Sequence, residues 1–162
     1  MAVVNPILID SVAPTNIRHK IINDIVTPLY KAKFGSSVKY YGRGIVHINS
    51  IPNFPALLFS SGSESLLGED INTKKDFEFV IRIQGYVRHE NPDTLEEQMD
   101  NFVHAVKKVA YVERDNKFGD TTGLIIDVIP GDVSVITEFL PFGFAGFTMD
   151  LGIRYRVFLP NV

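Results

Sequence analysis

The stretch Asp76–Ala110, DFEFVIRIQGYVRHENPDTLEEQMDNFVHAVKKVA, constrains the fold more than any other. Its first part alternates: Phe77, Phe79, Ile81 and Ile83 fall on one face, with Glu78, Arg82 and Gln84 on the other. A period of two in aromatic and β-branched residues predicts a half-buried strand. Its second part changes period. Leu95, Met99, Phe102, Val103, Val106 and Ala110 recur at three- and four-residue steps, giving a helix with one apolar face. Between them, Asn91 or Thr94 suits a helix cap, and Pro92 suits a first helical turn. A long strand running into an amphipathic helix leaves two apolar faces that must cover each other.

The rest of the chain predicts the partners of that unit. Met1–Pro14 reads as an apolar arm or short strand, and Pro6 argues against a central one. A helix is expected from a Thr15 cap, with Ile17, Ile21, Ile22, Ile25 and Leu29 on its apolar face. Pro28 should end that helix near Val26 or kink it. Lys31–Arg43 reads as a turn and a short strand, and short strands are expected over Ile45–Ile48 and Ala56–Phe59. The polar stretch 60–75, SSGSESLLGEDINTKK, has no sustained period and reads as a long loop or a hairpin tip. Arg114–Thr122 is another polar loop. Leu124–Ile129 should be a strand that turns at Pro130-Gly131-Asp132 and returns over Val133–Phe139. The last strand alternates, with Phe147, Met149, Leu151, Ile153, Tyr155 and Val157 on one face. The expected fold is α+β: a mostly antiparallel sheet with two main helices packed on one face. With 162 residues and no linker-like tract, one domain over 1–162 is expected.

Composition narrows the chemistry. With no cysteine there is no disulfide, thiolate metal site or cysteine nucleophile. No apolar run reaches the roughly 18 residues that cross a bilayer, and no signal peptide is visible at Met1. The net charge of −3 gives no general reason for nucleic-acid binding. Charge is unevenly placed, however: residues 1–50 hold six Lys/Arg against two Asp/Glu, and residues 51–100 hold four against ten. Such polarity suits docking on charged neighbours, copies of the chain among them.

Candidate reaction centres are sparse. Asp100 and His104 stand four apart on the central helix, with Glu97 a turn earlier; a metal would need at least three converging ligands. Asp93, Glu96, Glu97 and Asp100 invite an acid–base reading, yet acidic residues in the first turns complement the helix dipole. Gly42 and Gly44 lack the GxGxxG spacing, and neither GxSxG nor HExxH occurs. The expectation is no enzyme and no cofactor. The alternative is a small-ligand-binding or enzymatic domain centred on Asp100 and His104, or an oligomeric adaptor of another machine.

Contact surfaces are better represented. The basic, tyrosine-containing run supplies Lys31, Lys33, Lys39 and Arg43, suited to phosphate contact or a subunit interface. The 60–75 stretch supplies Glu64, Leu66, Leu67, Glu69, Asp70, Lys74 and Lys75, and the last strand's polar face supplies Arg154 and Arg156. Phe139, Phe142, Phe144 and Phe147 crowd a Gly- and Pro-rich bend, as core or as interface. Long strands also imply sheet edges that a monomer must guard.

The arrangement resembles the tail terminator, or tail completion, proteins of long-tailed (siphovirus-type) bacteriophages. Four features carry the resemblance: the early helix NIRHKIINDIV, the strand PALLF leading into a glutamate-containing stretch, DFEFVIRIQGYV followed by an acidic-capped helix, and the closing strand IRYRV. The resemblance spans roughly residues 15–158 and rests on order and period. It implies a virion protein, assembled in the host cytoplasm, whose subunits form a hexameric ring on the last ring of the tail tube. The ring would stop tube polymerisation and meet the head-side connector, with DNA passing through its lumen without specific binding. Such a ring closes head to tail, which the acidic and basic segments would suit. Its lumen wall should lack a strong positive field, because DNA must slide.

Overall fold

A computed structural model describes residues 16–69 and 74–158. The expected Met1–Pro14 arm and the Thr15 cap lie outside the described residues. The first helix, α1, covers 17–34 in three pieces: α-helical Ile17–Lys20, a π segment Ile21–Val26, and α-helical Thr27–Phe34. Asn16 caps it, its Oδ1 accepting from His19 N at 3.1 Å. Pro28 disturbs the helix where the sequence predicts but does not end it. Lacking a donor, it stands in the first turn of Thr27–Phe34, and the wider π turns run up to it. Lys31–Phe34 is therefore helix, where a turn was expected. The turn itself comes at Gly35, whose φ of +54° suits glycine.

Five strands make one sheet: β1 Tyr40–Arg43, β2 Ala56–Glu69, β3 Lys74–Arg88, β4 Ile125–Ile136 and β5 Phe144–Phe158. Their order is β1-β2-β3-β5-β4, antiparallel except for the β1–β2 pair. The second helix, α2, covers Pro92–Glu113, and Asn91 Oδ1 caps it by accepting from Asp93 N and Thr94 N at 2.9 and 3.3 Å. The chain is thus α+β, with both helices on one face of a mostly antiparallel sheet, as the sequence predicts.

The core lies between helices and sheet. Ile21, Ile22, Val26 and Tyr30 of α1 and Leu95, Phe102, Val106 and Ala110 of α2 meet Phe79, Ile81, Ile83, Phe147, Met149, Leu151 and Ile153. Tyr30 is fully buried, and its hydroxyl donates to Val106 O at 3.1 Å, fastening one helix to the other. Burial pushes that phenol well above its usual range. On the opposite face, Ile48 and Ile51 of the β1–β2 crossover cover Ala56, Leu58 and Tyr86.

Three expectations need correction. The strand expected over Ile45–Ile48 is absent: Gly44 takes φ +84° and leads the chain away from the sheet edge, and Ile48–Ser50 is one 3-10 turn. The stretch 60–75 is no long loop. β2 and β3 stay paired out to Glu69 and Lys75, with register shifts after Ser61 and after Leu66. Finally, Leu124–Phe139 does not fold back on itself. β4 is a single strand paired with β5 throughout, and Pro130-Gly131-Asp132 forms a bulge between Pro130 and Val133. The bulge lies on an edge strand, where a proline without a donor is tolerated.

Candidate interaction surface

The most unusual feature is the outer part of the β2–β3 hairpin. From Ser60 outward no described residue of β2 is buried, and on β3 burial starts only at Phe79. This arm carries Leu66 and Leu67, 53% and 46% exposed. β1 pairs only with Ala56–Phe59, so among the described residues β2 beyond Phe59 has β3 on one side and no strand on the other. Such an edge is a template for another chain.

Part of that edge is closed by side chains. Arg43 Nη1 donates to Phe59 O at 3.1 Å while its Nε donates to Asn23 Oδ1 at 2.9 Å, tying β1 and the edge to α1. Arg18 Nη2 donates to Gly62 O at 2.5 Å, and its guanidinium lies 5.2 Å from the centre of the Phe79 ring. Glu64 accepts from the Tyr155 hydroxyl. Desolvation, then that carboxylate, raises the Tyr155 phenol well above its usual range. The root of the arm is therefore anchored, and beyond Glu64 no described side chain closes the edge.

The sheet face away from the helices carries a cross-strand ladder. Arg156 makes a two-pronged contact with Asp76, at 2.7 and 3.0 Å. Next along the strands, Arg154 meets Glu78 at 3.3 Å, and Arg82 meets Asp150 at 3.2 Å. The hydrogen bond from Arg156 holds the Asp76 carboxyl below its usual range. Arg154 and Arg156, expected as interface cations, are thus paired within the chain. Asp76, Glu78, Arg82 and Asp150 belong to the same face and were not singled out from the sequence. Their signal is in the sequence: Asp76, Glu78 and Arg82 share one face of β3 and run antiparallel to Asp150, Arg154 and Arg156 in β5.

The remaining expected contact residues divide between two places. Lys74 and Lys75 stand on the arm's β3 side, opposite Phe158 and Val157 of β5. Asp70 lies outside the described residues. Lys39 is exposed at the start of β1, and Lys31 Nζ lies 5.5 Å from the Tyr41 ring centre. Lys33 bonds Glu113 Oε1 at 2.9 Å and so locks α1 to the end of α2. Lys31 and Lys33 therefore sit on the helix layer away from the arm, whereas Lys39 and Arg43 stand at β1, Arg43 reaching the arm's root. Of the crowded phenylalanines, Phe147 is core, Phe139 and Phe144 pack on the second face, and Phe142 is 73% exposed.

Glu113 is itself buried. Hydrogen bonds from Lys33 and Asn116 hold its carboxyl below the usual range. A depressed carboxyl stabilises the fold above its unfolded value and loses that contribution as pH falls through the folded one. Glu113→Gln is expected to cost about 1 kcal/mol at neutral pH, since half-exposed Lys33 is screened. In urea melts followed by circular dichroism, the gap to wild type should close below about pH 4.

Two grooves open beside the helices. One, of about 440 Å3, is lined by Phe34, Val38, Phe54, Val87 and Phe102. The other, of about 250 Å3, is lined by Lys33, Lys108, Val109, Val112 and Glu113; Phe34 and Ala105 line both. Asp100 and His104, the alternative reaction centre, are exposed on α2 and line neither groove. Among the described residues no three His, Asp or Glu are grouped to hold a metal ion, and no helix is long and apolar enough to cross a membrane. No protein-family model matches the chain, and no curated protein matches it.

Proposed function

We propose that the chain is a structural subunit of a tail terminator ring in a long-tailed bacteriophage. Copies join head to tail into a closed hexamer that caps the tail tube, ends its polymerisation and forms the joint to the head-side connector. The observation that carries this reading is the outer part of β2, which β3 covers on one side only. It is exposed from Ser61 to Gly68, pairs with no described strand but β3, and carries two adjacent exposed leucines. An isolated subunit gains nothing from exposed leucines on a free strand edge, whereas a neighbour's surface would cover both.

The charged ladder supports the same reading. Its arginines are matched by carboxylates, so this face carries little net field, as suits a wall along which DNA slides. No catalysis is assigned; the work is binding through complementary surfaces. Sedimentation velocity of the purified chain, alone and with tail tube protein, tests the assembly. A single closed oligomer of hexamer mass is the expected species in at least one of the two conditions. A monomer in both would refute the reading.

A further inference from the structure

We infer that Arg18 guards the root of the β2 edge against strand addition by a second copy of the chain. An open sheet edge offers its backbone donors and acceptors to any other strand. On this side of β2 two carbonyls are answered in turn from outside the strand. Gly44 N donates to Phe59 O at 2.8 Å, and Arg43 Nη1 adds a second bond at 3.1 Å. There β1 ends. Three residues further out, Arg18 Nη2 donates to Gly62 O at 2.5 Å from the first turn of α1. Arg18 thus continues the cover where β1 stops giving it.

The surroundings hold the guanidinium in that place. It lies 5.2 Å from the centre of the Phe79 ring, which is fully buried, so the same group covers a core ring. Beside it, Glu64 accepts from the Tyr155 hydroxyl, and the Arg18 charge acts on that phenol against the rise imposed by burial and Glu64. Gly62 falls in the register shift between Ser61 and Glu64, so a bulge breaks regular pairing at the same point. Arginine and bulge together close the edge as far as Glu64. Without Arg18 the open outer segment would run inward to Phe59 as one continuous free edge.

Two variants separate capping of the carbonyl from cover of the ring. Arg18→Ala removes both; Arg18→Met removes the donor and keeps an apolar stem over Phe79. Sedimentation velocity compares each with wild type over one concentration series. Wild type serves as the baseline whatever species it forms, so the result does not depend on the ring. Both variants should associate beyond the wild-type species, at concentrations about tenfold lower or less. Hydrogen exchange then locates the contact: amides over 60–68 should slow in the associated species, while those of β5 stay as in wild type. Sedimentation of both variants like wild type would overturn the inference. So would association of Arg18→Ala alone, which assigns the effect to the uncovered Phe79 ring, or new protection that falls outside 60–68.

Discussion

Phe147→Ala should cost about 3–5 kcal/mol of stability, the largest loss expected from a single side chain in this fold. Phe147 is 1% exposed and sits in the middle of β5. Its ring meets Phe102 of α2 edge-on, with centroids 5.4 Å apart and planes at 85°. It therefore joins the helix layer to the sheet. Its partner across the ladder is Gly85, which has no side chain to move into a void. The site cannot collapse easily, and poor collapse places a truncation at the costly end of the range. Against a total of about 5–15 kcal/mol for a domain, that is a large share. Urea unfolding of both forms, compared at equal slope, measures it. A loss below about 1 kcal/mol would mean that α2 settles onto the sheet without the ring.

Gly85→Ala is expected to cost about 1–3 kcal/mol by the opposite route, overpacking. A Cβ on Gly85 would sit 2.5 Å from Phe147 Cζ. The next rung repeats the device on the other face: Tyr86 stands opposite Gly146, whose added Cβ would meet Tyr86 Cδ1 at 2.6 Å. In each pair a ring on one strand lies over bare backbone on the other, so the glycines fit the rings above them. The clash has one dominant partner, which makes it separable. Phe147→Leu should recover part of the loss caused by Gly85→Ala, so the double variant is more stable than the sum of the singles implies. Strict additivity in thermal or denaturant melts would show that the cost comes from the backbone and not from the ring.

Gly85 belongs to the stretch Asp76–Ala110, whose pattern is the plainest in the chain. The alternation from Phe77 to Ile83 and the three–four spacing from Leu95 to Ala110 reappear as buried faces because one side of each element meets the core. The arm left no such imprint. Ser61–Gly68 is exposed on both faces, so burial imposes no period, and its serines and glycines look like a loop until the pairing with β3 is seen. Pro130-Gly131-Asp132 misled for a different reason. Its residues suit a turn, but a Cβ on Gly131 would meet Asp150 O at 2.7 Å, so the chain here hugs β5 instead of leaving it. Bulge and turn draw on the same residue types, and only the neighbouring strand distinguishes them. Among the candidate contact residues, Leu66 and Leu67 stand exposed as expected. Lys33, Arg43, Arg154 and Arg156 instead find partners distant in sequence, in Glu113, Asn23, Glu78 and Asp76. Single charges do not announce such partners, although the signs along β3 and β5 match once those strands are set antiparallel.

In the proposed function, copies of this chain close on one another and cap a tube. Electron microscopy of tail tubes grown from tube protein with the chain added tests it most directly. Tubes of arrested length with a ring of extra density at one end are expected. Tubes that keep growing with bare ends, while the added chain stays monomeric in solution, would contradict it.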